Sequence, residues 1–470
     1  MPVKLIGTTP QGKRSIRTGV YPVWAVRAIV VLTLAGWPLA LSADSNWPQF
    51  RGAGASGTSE QSAPTAWDPD TGKNILWKTE IPGLGHASPI IWSNHLFIAT
   101  AVKPGGKSEL KIGLYGAGES YHEKEPHQWR LLCLDRRNGQ ILWDKLAFES
   151  VPRVERHTKA THCNSTPATD GQRIVAIFGS EGLFCFSMQG ELLWRKDLGK
   201  MDAGPFDAPK LQWGFASSPV LHDNKVVVQC DVTSDRFLAV FDATDGKELW
   251  RTPRHEAGGT WCSPAIAESA GSTQIIANGW KHIGGFDFTT GKEIWRMEGG
   301  GDIPVPTPLV ADGMVVLTSA HGKYRPIRAV RLEARGDVTP PEMGETNAAV
   351  VWCHPRLGSY MQTPILVGDL LLSCDVQGVL SCFDFLTGKL HYSERLAGGS
   401  QGFSASPVAA AGKVYITGEL GDVFVVEAKP EFKRVGMNKL GEECLATPAL
   451  SGGKIFFRTR GGVMAIGAPR

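Results

Sequence analysis

The chain repeats itself, and the repeat limits what it can fold into. One unit runs Ser218-Pro219-Val220-Leu221, a turn at Asp223-Asn224, the apolar run Lys225-Val226-Val227-Val228-Gln229-Cys230, then Phe237-Leu238-Ala239-Val240-Phe241-Asp242. It ends with the turn Ala243-Thr244-Asp245-Gly246-Lys247 and Glu248-Leu249-Trp250. Short β-branched and aromatic runs between Gly, Pro and Asx turns read as four strands. The next unit copies it, from Ser263-Pro264-Ala265-Ile266 to Phe286-Asp287-Phe288-Thr289-Thr290-Gly291-Lys292-Glu293-Ile294-Trp295. Related endings stand at Leu134-Asp135 with Asn138-Gly139-Gln140-Ile141-Leu142-Trp143, and at Phe383-Asp384 with Thr387-Gly388-Lys389; a shortened one closes at Glu191-Leu192-Leu193-Trp194. In each turn Asp, Thr or Asn accepts backbone N–H bonds and Gly supplies the positive φ. The tryptophan is expected to cap the outermost strand.

Each unit opens on a Ser/Thr-Pro pair, at Pro89, Pro167, Pro219, Pro264, Pro308, Pro364, Pro407 and Pro448. A four-stranded propeller blade repeats about every 40–45 residues. The wider intervals predict insertions at about 103–128, 200–212 and 333–349. Eight openings predict an all-β fold, an eight-bladed β-propeller of four-stranded antiparallel blades. The unit begun at Thr447-Pro448 holds only three strands, Lys454-Ile455-Phe456-Phe457-Arg458 and Val463-Met464-Ala465-Ile466 completing it, whereas Thr71-Gly72-Lys73-Asn74-Ile75-Leu76-Trp77 is a fourth strand ahead of the first opening. The expectation is that this N-terminal strand completes the last blade, so that the ring leaves no open sheet edge.

Composition fits such a chain: 55 glycines, 30 prolines and 15 tryptophans in 470 residues, with 42% hydrophobic and 20% charged residues. This excludes a disordered protein. The net charge of +3 is misleading. Residues 1–43 carry Lys4, Lys13, Arg14, Arg17 and Arg27 and no acid, then the apolar stretch Ala28 to Leu39 and small residues Ala40, Ser42 and Ala43. That pattern reads as a secretory leader, or alternatively as an uncleaved N-terminal anchor, although the stretch is short for a spanning helix and Pro38 interrupts it. Without it 44 basic residues face 46 acidic ones, a net −2. No basic patch points to nucleic acid. A single propeller domain over 44–470, periplasmic or secreted and a monomeric ring, is the resulting expectation.

The nine cysteines form no C-x-x-C pair, which removes zinc-ribbon, thioredoxin-like and c-haem readings. Cys133, Cys185 and Cys382 share one repeat position, where other units place Val240, Gly285 and Val425. They read as small buried residues between blades rather than disulfide partners. A Cys374–Cys382 bridge is not expected, because the Gln377-Gly378 turn pairs 374 with about 381.

The segment Phe-Asp-x-x-Thr-Gly-Lys-x-x-Trp resembles the PQQ-type tryptophan-docking repeat of quinoprotein dehydrogenases and of non-enzymatic relatives, among them the propeller lipoprotein of the bacterial outer-membrane barrel-assembly machinery. With Asn46-Trp47-Pro48-Gln49-Phe50-Arg51-Gly52, His157, His162, and Phe178-Gly179-Ser180-Glu181-Gly182-Leu183, the chain is similar to exported PQQ-like propeller proteins of planctomycete bacteria. The resemblance covers nearly all of 46–470. The chain has no vicinal Cys-Cys pair of the quinoprotein alcohol dehydrogenases, and its first cysteine is Cys133, far from a lipidation position. The resemblance therefore implies a non-catalytic propeller that binds a ligand or protein. A divergent PQQ-dependent oxidoreductase of the alcohol or sugar dehydrogenase type, using calcium, is the alternative, and an outer-membrane assembly factor a further one.

The loops that lead into the innermost strands ring one mouth of a propeller channel, where ligands bind in this fold. Six residues there are the candidate cofactor-binding set: His162, Asn164, Trp213, Trp261, Tyr360 and Gln362. His86, His157, Cys163, Gln212, Asp302, Gln401, Phe403, Glu442 and Glu443 belong to the same ring. Flat aromatics with amides and carboxylates suit a planar acidic molecule; equally, they suit a channel that is merely filled and hydrated. No metal site is expected: His157 and His162 lack an evident third ligand. No catalytic triad, phosphate loop or H-E-x-x-H helix is visible. The segment Tyr121-His122-Glu123-Lys124-Glu125-Pro126-His127 reads as a charged surface loop, or as a lid for a partner.

Overall fold

The units fold as four antiparallel strands, the last one borrowing its fourth, because their apolar residues alternate or run together for four to eight positions between obligatory turns. The computed structural model describes residues 46–106, 108–113, 120–205, 208–269, 271–397 and 401–469. They belong to the compact unit Ser42–Arg470, and the leader reading of 1–43 lies outside the described residues. Eight four-stranded blades follow in order: blade 1 (90–150), blade 2 (168–196), blade 3 (220–253), blade 4 (265–297), blade 5 (309–354), blade 6 (365–395), blade 7 (408–439) and blade 8 (449–466). The outermost strand of blade 8 is Ile75–Glu80, antiparallel to Gly462–Ile466 with Lys78 opposite Met464. Two further strands are parallel additions: Thr58–Ser59 beside Ala409 and Ala410 in blade 7, and Gly336–Asp337 beside Trp295 and Arg296 in blade 4.

The repeat position held by cysteine has a simple cause. In four blades it faces a large aromatic of the outermost strand beside a bulge: Cys133 opposite Trp143, Cys185 opposite Trp194, Val240 opposite Trp250 and Cys382 opposite Tyr392. Only a small side chain leaves room there. The nine cysteines are free thiols, and Cys374 pairs with Leu380 rather than with 381. Burial pushes the Cys133, Cys163 and Cys185 thiols up to about 12, so they are not thiolates at neutral pH.

The tryptophans join blades rather than cap their own. Trp77, Trp194, Trp250 and Trp352 each donate the indole N–H to a backbone carbonyl of the next blade, at Arg136, Ala243, Phe288 and Phe385. Each ring covers that blade's turn glycine, Gly139, Gly246, Gly291 and Gly388. Blade 4 departs: Trp295 turns inward over Gly285 and donates to Gln274 of its own blade. Its successor has no Thr-Gly-Lys turn to receive it.

The segment Asn46 to Gly52 enters the centre of the ring. Trp47 bridges Ile91 of blade 1, and Arg51 is fully buried. The Arg51 guanidinium donates to the carbonyls of Pro364 (2.9 Å) and Pro407 (2.7 Å), at the openings of blades 6 and 7. It also donates to Ala55 O and Ser56 O in its own turn. Burial without a carboxylate lowers its pKa to about 9.

Candidate functional site

The eight Ser/Thr-Pro openings line the channel, and their hydroxyls stitch it together. The backbone N–H of Ser88 donates to Thr166 Oγ1, that of Thr166 to Ser218 Oγ, and that of Ser218 to Ser263 Oγ, all at 2.9 Å. The series resumes with Thr307 to Thr363, Thr363 to Ser406 and Ser406 to Thr447, all at 3.0 Å. Each hydroxyl thus satisfies a buried amide of the preceding blade, and the proline that follows has no amide to satisfy. A hydroxyl is needed at these positions for the same reason that it recurs in the sequence.

Above this ring lies a cavity of about 450 Å³, lined by all eight hydroxyl residues together with Phe50, His86, His157, Lys159, Asn164, Trp213, Trp261, Ile303, Val305, His321 and Tyr360. Trp213 and Trp261 pack on each other with centroids 5.5 Å apart and planes at 38°. The Trp261 indole donates to Gly214 O at 2.8 Å, whereas the Trp213 indole N–H is buried with no hydrogen-bond partner among the described residues. His157 stands edge-on to Trp213 (5.6 Å), and Tyr360 packs on His321, which is held by Asp302. Lys159 reaches across the channel to the buried Glu419, 2.5 Å away. Burial lowers the His86 pKa to about 4, aided by the Arg156, Lys159 and Arg458 charges and opposed by the bond of its Nε2 to Lys159 O.

The first insertion is fastened over this mouth. Ser120–Tyr121 pairs antiparallel with Arg156–His157, and Ser120 exchanges two bonds with the backbone of Gln212. Lys111 N–H donates to Thr158 O, Lys159 Nζ to Gly113 O, and Gly113 N–H to Glu419. The Arg156 guanidinium clasps the Glu123 carboxylate through Nε (2.8 Å) and Nη2 (3.2 Å). Burial would raise the Glu123 carboxyl, but His127, His162 and Arg156 beside it hold it well below the usual range. The segment that reads as a surface loop is therefore buried at Glu123 and His127.

Of the six candidate residues, Asn164, Trp213, Trp261 and Tyr360 share the cavity wall. Asn164 is locked there by bonds to Thr161 and to Phe215 O. His162 is not on the wall; it faces Glu123 at 3.0 Å. Gln362 is fully buried and donates to Ala405 O, holding blade 6 to blade 7. In the wider ring, His86 and His157 reach the wall, while Glu442 pairs with Lys78 and Glu443 with Arg460. Lys159 and His321 complete the wall, with Glu419 behind Lys159, without any local motif to announce them.

The same architecture occurs in proteins of very different sequence. A family model described as outer membrane protein assembly factor BamB matches residues 127–299 and 283–468. No curated protein matches the sequence. Among solved structures, BamB from Moraxella catarrhalis aligns with a TM-score of 0.51 at 14% identity, over 79% of this chain and 98% of that one. Quinohemoprotein alcohol dehydrogenase from Comamonas testosteroni aligns at 0.59 and 10% identity, over 91% and 81%. A europium-containing methanol dehydrogenase aligns at 0.55 and 12% identity, over 90% and 91%. These identities establish a shared propeller fold and no more. With matched stretches running together from 127 to 468, the chain belongs to the PQQ_2 family of repeat β-propellers, whose model carries the BamB description.

Proposed function

We propose that this protein is an exported, non-catalytic PQQ-like propeller that holds a small organic ligand in its central cavity. The observation that carries the reading is the cavity itself, a space of about 450 Å³ with a ring of hydroxyls at its base and Trp213, Trp261 and Tyr360 on its wall. Pockets of this size, largely apolar with a few convergent polar groups, are the usual form of a small-molecule site. The cavity owes its apolar face to the rings of Trp213 and Trp261. Its cationic wall residue, Lys159, is already paired with Glu419, which favours a neutral occupant over an anionic one.

PQQ with calcium, the cofactor pair of the oxidoreductase reading, makes different demands of the same wall. PQQ is a flat polyacid that needs unpaired cations, and calcium needs several oxygen ligands including carboxylates. Among the described residues lining the cavity none is Asp or Glu, and the two tryptophans pack on each other rather than on opposite sides of a slot. These residues do not fit the pair.

The test is native mass spectrometry of the full chain purified without denaturation, followed by tryptophan-fluorescence titration with the released compound. Retained mass that is lost in Trp213→Ala and Trp261→Ala supports the reading. A shifted PQQ absorbance with calcium, together with dye reduction on alcohols or sugars, would overturn it in favour of the oxidoreductase. A pull-down of outer-membrane assembly components by a chain with an empty cavity would instead favour the assembly role that the family description names. Export is checked by the N-terminal sequence of the chain recovered from a periplasmic fraction.

A further inference from the structure

Outside the cavity wall, three metal-ligating side chains from separate stretches converge in a buried position. Glu123 and His127 belong to the first insertion, and His162 to the loop leading into blade 2. His127 Nε2 lies 3.7 Å from Glu123 Oε1, and His162 Nε2 lies 3.0 Å from Glu123 Oε2. One donor atom from each of the three falls within 4.8 Å of the others. Their side chains are 1%, 2% and 7% exposed for His127, Glu123 and His162.

We propose that Glu123, His127 and His162 bind one zinc ion that clips the insertion to the propeller. Two imidazole nitrogens and one carboxylate oxygen are a donor set that zinc takes, with a water or hydroxide in the fourth place. Two ligands at about 2.1 Å from one tetrahedral ion stand about 3.4 Å apart; His127 Nε2 stands 3.7 Å from one oxygen of Glu123 and His162 Nε2 3.0 Å from the other, so the carboxylate presents an oxygen to each histidine. The state of His127 adds an independent reason. Its Nδ1 lies 2.9 Å from the Glu125 carbonyl, while its Nε2 is buried with no hydrogen-bond partner among the described residues. An N–H donated from Nδ1 to that carbonyl leaves the Nε2 lone pair directed at a carboxylate oxygen. Two acceptors then face each other across 3.7 Å, a contact that a bound cation relieves, as a proton on Nε2 also would. The same carbonyl bond is what fixes the tautomer of a metal-ligating histidine.

Arg156 completes the arrangement as a positioning residue, since its two bonds to Glu123 hold the carboxylate in place without occupying all of its lone pairs. The ion joins residues 35 to 39 positions apart in sequence, and adds to the ladder from Ser120–Tyr121 to Arg156–His157 and to the Arg156–Glu123 clasp that already fasten the insertion. The proposal is independent of what fills the cavity.

The experiment uses the full chain expressed with zinc and purified without chelator. Metal is counted by inductively coupled plasma mass spectrometry, and the chelator-stripped protein is titrated with zinc and with cobalt. One zinc per chain, a melting temperature lowered by stripping, and the intense visible bands of four-coordinate cobalt are expected. His127→Gln and His162→Gln should weaken zinc binding roughly 100-fold or more and lose the cobalt bands. A wild-type chain that takes up no zinc and gives no cobalt bands overturns the proposal, and leaves the cluster as two histidines packed on a carboxylate held by Arg156. Variants that bind as tightly as wild type overturn it too. Should both variants fail to fold, the wild-type stoichiometry and cobalt spectrum decide the question.

Discussion

The indole of Trp250 lies on Gly291 of the following blade, so closely that a Cβ at the glycine would stand 2.4 Å from Cε3. The same indole donates to Phe288 O at 3.1 Å. Gly291 is needed twice over, for its φ of +72° and for the missing side chain. Gly313 separates the two requirements, having φ +73° with open space around it. Gly313→Ala should cost about 1 kcal/mol, the backbone penalty alone. Gly291→Ala should cost about 3 kcal/mol, because the indole must also shift out of its seat. Urea denaturation midpoints measure both, and equal losses would show that the tryptophan contact carries no energy.

The ring of hydroxyls makes a second claim on energetics. Ser218 Oγ accepts from the Thr166 amide, a buried group at the channel. Ser218→Ala removes that acceptor and should destabilise by about 1–2 kcal/mol, less than a fully sealed site because the cavity admits water. Ser218→Thr keeps the hydroxyl and should stay close to wild type. Slower exchange of the Thr166 amide in wild type than in Ser218→Ala, read by hydrogen–deuterium exchange, locates the effect; unchanged protection would contradict it.

These two devices show where the sequence is readable and where it is not. The strands, the turns and the number of blades follow from local patterns, and Ser218-Pro219 and Gly291 stand out because they recur. What each serves is non-local: the partner of the Ser218 amide is Ser263, and the partner of Gly291 is Trp250 in a different blade. Asn164, Trp213, Trp261 and Tyr360 are legible as cavity residues because the loops leading into innermost strands must meet at one mouth. Lys159 and Glu419 are not, since they lie on opposite sides of a ring that only the closed fold brings together. Glu123 and His127 mislead for a different reason. A run as charged as Tyr121 to His127 reads as solvated, and Arg156 and His162, distant in sequence, make its burial tolerable.

The pairing of Lys159 with Glu419 also fastens the insertion, because Lys159 Nζ donates to Gly113 O and Gly113 N–H to Glu419. Glu419→Ala leaves Lys159 without its counter-charge at a position only 14% exposed. A loss of about 2–3 kcal/mol is expected, below that of a sealed pair because the lysine can turn toward the cavity. The local consequence is the sharper one. Faster amide exchange at Lys111, which donates to Thr158 O, should accompany the loss, with the outer strands of blades 3 and 4 unaffected. Exchange at Lys111 that does not change would mean that the insertion is held without this pair.

His86 should set part of the acid limit of stability. Burial, with Arg156, Lys159 and Arg458 nearby, lowers its pKa from 6.5 to about 4 in the folded chain. Between those two values the unfolded chain takes up a proton that the folded one refuses, so stability falls as pH drops through the window and is untouched above it. The full effect is about 3 kcal/mol once pH 4 is reached. His86→Gln keeps a donor for the Lys159 carbonyl, which the imidazole Nε2 meets at 2.9 Å, but does not titrate. Its unfolding free energy should therefore match wild type within about 1 kcal/mol at neutral pH and decline less steeply from pH 6.5 to 4. Other carboxylates contribute equally to both proteins, so the difference between the two slopes isolates this histidine. Parallel slopes would mean that the His86 ring becomes charged inside the folded propeller, with the channel opening to hydrate it.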